Sequence, residues 1–361
     1  MVILHFVHGL YGINNGLDRY IQTFKNVINA NHFFICPKGE NKTNCNDNVF
    51  EIESFFEIEK IIDEVKPNFY LCHWTGPESL KNKNDIIWNG QNFISFSGLN
   101  LAELYANIDT NPYGYIYAVL DEKKRTDKNI RNILVTHTEY KLPPPISTRF
   151  YDEIIHVSNK CLNNNKELDV TQRVIYPCLS DEIIKNLPKI SFGSKLKIGW
   201  LGRLNKYDSI YYDFIKTEYG NRKDLEFYFA GEYEDHIEND RPENFFFLGN
   251  QKANIFLNSI DVFLYPTSID SFSLSLLEAM SKGLCCISSN VVSELASLCD
   301  SIVFTDTKTL KINLDIIIEN KIFRAVIGSN SQKRVKELFS SDNFLKNWNK
   351  ILLQPHFITF K

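Results

Sequence analysis

Short apolar runs recur along this chain, and stretches of helical periodicity separate them. The runs at 2–7, 33–36, 69–72, 133–135, 154–157 and 174–176 read as strands. Between the first two, 16–28 places Tyr20, Ile21, Phe24 and Ile28 on one helical face, and 58–65 has the same period. Strand, helix, strand repetition of this kind implies a parallel sheet covered on both faces. At 185–195 the pattern pauses, and Pro188, Gly193 and three lysines give that stretch the character of a linker. It then restarts with strands at 196–201, 225–230, 245–248, 260–265, 284–288 and 301–304. Helices are expected near 208–219, 252–258, 271–282, 291–298 and 308–317, and then near 321–338 and 342–353. The expected fold class is therefore α/β, with two Rossmann-like doubly wound domains at 1–185 and 186–340. Residues 341–361 are expected as a C-terminal helix packing back on the first domain.

Composition limits the function classes. The chain has 361 residues, 43% of them hydrophobic, with 27 Phe and 17 Tyr, which is enough apolar mass for two cores. Its net charge of −4 offers no basic surplus for nucleic acid. No apolar run approaches the ~20 residues of a membrane span, so membrane contact is expected to be peripheral. The N-terminal run lacks a basic region and a cleavage site, and reads as a first strand, not a signal peptide. The cysteines form no Cys-x-x-Cys pair and stand beside no histidine cluster at zinc spacing. Cys285 and Cys286 lie in an apolar run and read as buried free thiols, which suits a reducing compartment. A cytoplasmic location at the inner face of the membrane is the expectation, and usage rich in Asn, Ile and Lys fits an AT-rich bacterial genome.

Ligands of open parallel sheets sit outside the carboxyl ends of the strands. That rule directs attention to His8, Gly9, His73, His137, Ser158, Arg203, Gly231, Gly249 and Pro266. The most informative segment is 261–295. A strand there reaches Pro266, a polar loop leads to Asp270, and a helix is expected from Ser271. The free N–H groups of Ser271, Phe272, Ser273 and Leu274, with the helix dipole, would make an anion site. That helix is apolar nearly all round, so Glu278 should be buried and in need of hydrogen-bond donors such as ribose hydroxyls.

With Glu278-Ala279-Met280 preceded by Asp270, this segment resembles the signature of the family 4 retaining glycosyltransferases. In that family a first Glu stands near the transferred sugar and a second binds the nucleotide ribose. Here Asp270 replaces the first and Glu278 matches the second. The family's Phe-Gly is Phe272-Ser273 in this chain, and Ser273 retains a backbone N–H for phosphate. Gly202-Arg203-Leu204 resembles the strand end whose Arg, with a nearby Lys, neutralises the donor diphosphate, which gives Arg203 and Lys206 that role. Gly249-Asn250-Gln251 resembles the loop whose backbone contacts the base, and Asn15-Gly16 the Gly-Gly turn that approaches phosphate. His137, after Val135-Thr136, resembles the strand-end histidine near the reacting sugar. The resemblance implies the GT-B fold, two Rossmann-like domains facing across a cleft. It also implies a retaining transfer from a UDP- or GDP-sugar to a glycan or lipid-linked acceptor, without metal or cofactor. The oligomeric state is left open.

Plainer readings stand beside these. Asp270 can be an N-cap alone, Arg203 can pair with a carboxylate, and Glu278 can pair with Lys282 on a surface. His137 can be a satisfied strand-end histidine, and Gly16 can simply permit a turn. At the level of the whole chain the alternatives are a degenerate GT-B protein that binds a nucleotide-sugar or glycan without turnover, or a nucleotide-sugar epimerase.

Overall fold

A computed structural model describes residues 1–7, 16–38, 41, 48–52, 57–74, 130–139, 151–180, 183, 194–204, 208–233, 237 and 241–353. The chain divides into two units, Met1–Tyr176 with Phe344–Lys361, and Pro177–Asn343. The backbone passes between them twice, first ahead of the expected 185/186 boundary and again within the last helix.

The first unit holds a parallel sheet of β1 (Val2–Phe6), β2 (Asn31–Pro37), β3 (Val49–Ile52), β4 (Phe69–Trp74), β5 (Arg131–Thr136), β6 (Glu153–His156) and β7 (Thr171–Val174). Their spatial order is β3-β2-β1-β4-β5-β6-β7. Two details differ from the sequence reading. β3 was not expected, because this edge strand is short, exposes Glu51 and lacks a continuous apolar run. β7 lies ahead of the expected 174–176, where register with β6 places it.

Side chains alternate across the sheet. Leu4, Phe6, Ile35, Tyr70 and Leu134 pack with Ile58, Ile61 and Ile62 of the Glu57–Val65 helix. On the opposite face His5 meets Phe24 of the Gly16–Val27 helix, with ring centroids 5.4 Å apart. The Ser341–Leu352 helix seals that side, where Trp348 lies 4.8 Å from Phe24 and Phe344 5.9 Å from Tyr20, both edge-on. Arg131 joins this helix to the sheet, donating from Nη1 to the Ile351 carbonyl (2.7 Å) and from Nη2 to Glu153 (2.7 Å). Glu153 is fully buried and also accepts from Arg173, so its charge is offset twice.

The second unit repeats the plan with β8 (Leu196–Leu201), β9 (Leu225–Ala230), β10 (Phe245–Phe247), β11 (Val262–Tyr265), β12 (Cys285–Ser289) and β13 (Ile302–Phe304). The order β10-β9-β8-β11-β12-β13 is the doubly wound 3-2-1-4-5-6 arrangement. Its core brings Trp200, Phe227, Phe245, Leu264 and Ile287 against Tyr212, Ile215 and Leu314. The Lys321–Leu338 helix contains Gly328, where a Cβ would lie 2.0 Å from the Gly283 carbonyl oxygen, so only glycine allows this approach. Both units are Rossmann-like parallel-sheet domains, the expected fold class. The seven described cysteines are free and buried, Cys285 and Cys286 among them. Among the described residues no helix is long and apolar enough to cross a membrane.

Candidate active site

In the second sheet the chain leaves β8 toward β9 on one side and returns as β11 on the other, so the topological switch point lies between the ends of β8 and β11. β8 ends in Gly202-Arg203, and β11 leads through Pro266 to Ser273. Gly202 (φ +149°), Gly231 (φ +132°) and Gly249 (φ +61°) follow three neighbouring strands in backbone conformations that favour glycine. The Gly202 N–H donates to the Ala230 carbonyl (2.9 Å), and the Gly231 N–H to that of Gly249 (2.8 Å). Arg203 is exposed and makes no ion pair among the described residues. The buried Asp208 accepts the Ser268 N–H through Oδ1 (2.8 Å), tying the loop after β11 to the start of the Ser209–Tyr219 helix.

The helix after β11 spans Leu274–Ser281 and does not begin at Ser271. The cause is local capping. Asp270 Oδ1 accepts the Phe272 N–H (3.1 Å), and the Ser273 hydroxyl accepts the Leu276 N–H (3.1 Å), which keeps Ser271 and Phe272 out of the helix. The amides that end the helix without an intrahelical acceptor are thus those of Leu274 and Ser275, behind Ser273, and not the expected set from Ser271 onward. Its other end is a Schellman motif, with Gly283 (φ +73°) donating to Met280 and Leu284 to Ala279. Glu278 is 4% exposed, between the fully buried Leu277 and Ala279, which removes its reading as a surface residue.

Asp270 is held on both oxygens. Tyr265 donates its hydroxyl to Oδ2 (2.6 Å), while Oδ1 takes the Phe272 amide. Burial and the Asp270 charge push the Tyr265 phenol well above its ordinary pKa, so it stays a donor. Gln251 is exposed, and its side-chain amide donates to the Leu248 carbonyl (2.8 Å), pinning the loop around Gly249. Lys206, Asn15, His8 and Gly9 lie outside the described residues. Among those described, no three His, Cys, Asp or Glu side chains are grouped as a metal site.

In the first unit Gly16 opens its helix, and a Cβ there would meet nothing within 4 Å. His137 follows β5 and is joined to three histidines that include two the sequence reading did not single out, His5 and His32. His73 Nδ1 lies 3.0 Å from His137 Nε2, His5 Nδ1 3.1 Å from His73 Nε2, and His32 Nδ1 3.0 Å from His5 Nε2. The row ends at the Ile28 carbonyl, 2.9 Å from His32 Nε2. Strand register explains it. His32 pairs with Ile3, two residues before His5; His5 pairs with Leu71, two before His73; His73 pairs with Val135, two before His137. One face of four neighbouring strands therefore carries a diagonal of imidazoles, and only the register could have revealed it. His5, His32 and His73 are buried, whereas His137 is partly exposed. Burial lowers the pKa of His137 to about 3 and holds His5 and His73 well below the ordinary value.

Residues 195–313 match the family model described as glycosyl transferases group 1, so the second unit carries a glycosyltransferase domain. No curated protein sequence matches the chain. Among solved structures, sucrose-phosphate synthase from Thermosynechococcus elongatus superposes with a TM-score of 0.69 at 12% identity, covering 98% of both chains. Anabaena Alr3699/HepE in complex with UDP and glucose gives 0.70 at 12% identity, covering 98% of this chain and 99% of that one. The lipopolysaccharide outer core galactosyltransferase WaaB gives 0.65 at 15%, covering 98% and 99%. At these identities the likeness establishes the GT-B fold.

Proposed function

We propose that this chain is a retaining, metal-independent glycosyltransferase that moves a sugar from a UDP- or GDP-sugar to a glycan or lipid-linked acceptor in surface polysaccharide synthesis. The observation that carries this reading is the pairing, at one switch point, of an exposed guanidinium after β8 with the amino end of a buried helix after β11. As the bond between sugar and phosphate breaks, negative charge grows on the departing nucleoside diphosphate. Arg203, the Leu274 and Ser275 amides and Lys206 would stabilise that charge, and fixed dipoles do so without reorganising. Glu278 would accept hydrogen bonds from the ribose, and the Gly249–Gln251 loop would meet the base. In the first unit Gly16 and His137 are the candidates for phosphate and sugar contacts. The UDP and glucose held by the Anabaena protein support a nucleotide-sugar donor. Membrane contact would be peripheral.

A second reading, donor binding without turnover, draws on Asp270, whose carboxylate oxygens are both engaged, one by Tyr265 of β11 and one by the Phe272 amide. One screen separates the two. Purified protein is incubated with UDP-, GDP- and ADP-sugars, and released nucleotide is measured with and without EDTA. The transferase reading expects slow release from one donor, unaffected by EDTA and reduced about 100-fold or more in Arg203→Ala. Tight donor binding with no release, on any acceptor, would support the second reading.

A further inference from the structure

We propose that His32, His5 and His73 are positioning residues that hold His137 as its Nε2–H tautomer, so that its Nδ1 lone pair is offered to a hydroxyl of the bound sugar. The offer to a sugar rests on the glycosyltransferase reading; the tautomer does not.

The argument is a count of hydrogens. A carbonyl oxygen only accepts, so His32 must donate to Ile28 from Nε2. Neutral imidazole carries one N–H, which leaves His32 Nδ1 as an acceptor for His5 Nε2–H. His5 Nδ1 then accepts from His73 Nε2–H, and His73 Nδ1 from His137 Nε2–H. Four neutral rings supply four hydrogens, and there are four contacts to fill. Reversing any ring sets two lone pairs or two N–H groups face to face at about 3 Å, in a buried setting where a broken hydrogen bond is costly. An added proton would fill the same contacts only by placing an N–H on the His137 Nδ1, so the acceptor depends on the row staying neutral, which burial of the four rings favours by lowering their pKa values. One backbone carbonyl, three rings away, therefore decides which nitrogen of His137 is free.

The free nitrogen is at the open end of the row. His137 is the one partly exposed ring of the four, and its Nδ1 meets no donor among the described residues. The ring centroids of Tyr20 and His137 are 4.7 Å apart with the planes nearly perpendicular, and Phe24 packs edge-on against His5 and His32, so the rings are held in line by packing. A single strand-end histidine would interconvert its tautomers freely. Here the orientation is fixed before any ligand arrives, which preserves an acceptor at the cost of no reorganisation.

The test is the histidine tautomer pattern of the full chain, read from long-range proton–nitrogen correlations of protein labelled with 15N-histidine at pH 7. The expected result is a neutral Nε2–H signature for all four rings. His137 found mainly as Nδ1–H, or as the cation, would overturn the proposal. His73→Asn keeps an acceptor near the position of Nδ1 and should retain the His137 tautomer. His73→Phe removes it and should populate both tautomers. Turnover on the donor found in the screen should fall roughly tenfold in His73→Phe and less than about threefold in His73→Asn. Equal turnover in the two variants would refute the role toward the sugar. If His73→Phe does not fold, the wild-type pattern still decides the relay. Absence of turnover with every donor would defeat the glycosyltransferase reading while leaving the tautomer result intact.

Discussion

Gly231 follows β9 and faces the backbone that follows β8. Its φ is +132°, and a Cβ would sit 2.1 Å from the Gly202 carbonyl oxygen, which is backbone and cannot move aside. We expect Gly231→Ala to lower stability by about 2–4 kcal/mol, measured by urea unfolding, because strain and a steric clash add at one atom. A change below about 0.5 kcal/mol would show that the turn can relax. Around it, some residues were legible and others were not. Burial of Glu278 could be read from the apolar residues on every side of it in the sequence. The engagement of Asp270 by Tyr265 could not, because a strand residue reaches a loop residue only once the turn between them has closed.

At the scale of elements, the last helix shows the same division. Its period over 342–353 was legible, and packing back on the first unit was an expectation; the surface it covers was not legible. Trp348 is fully buried against Phe24, and Arg131 caps the carbonyl of Ile351. Trp348→Ala should cost about 3–5 kcal/mol in urea unfolding, the range for removing a large buried aromatic. An effect under about 1 kcal/mol would mean that the helix contributes little to the first unit. The helix after β11 illustrates how a start can be misplaced. Asp270, Ser271 and Ser273 can each cap a helix, and the choice among them depends on which hydroxyl or carboxylate is already occupied.

For the whole molecule, the histidines set a pH dependence. His5, His32, His73, His137 and His156 all have pKa values lowered by burial, from an unfolded value near 6.5. The folded chain keeps these rings neutral where the unfolded chain protonates them. Stability is thus complete above about pH 6.5 and is lost as pH falls, for His137 continuing to about 3. Each such ring contributes about 1.4 kcal/mol per pH unit over its window. We expect the urea midpoint to fall steeply from pH 7 to pH 5. A midpoint unchanged over that interval would contradict four neutral hydrogen-bonded rings.

What the sequence determined by itself was the repeated alternation of strand and helix, hence two doubly wound sheets, and the strand ends where chemistry gathers. Periodicity and turn residues act over a few neighbours, so one chain read in order is enough to find them. The tertiary structure alone decided which histidines meet, since His32, His5, His73 and His137 become adjacent only through the register of four strands. It also chose the helix cap and the closeness of Gly231 to Gly202, because each depends on atoms brought together by pairing and packing across the fold.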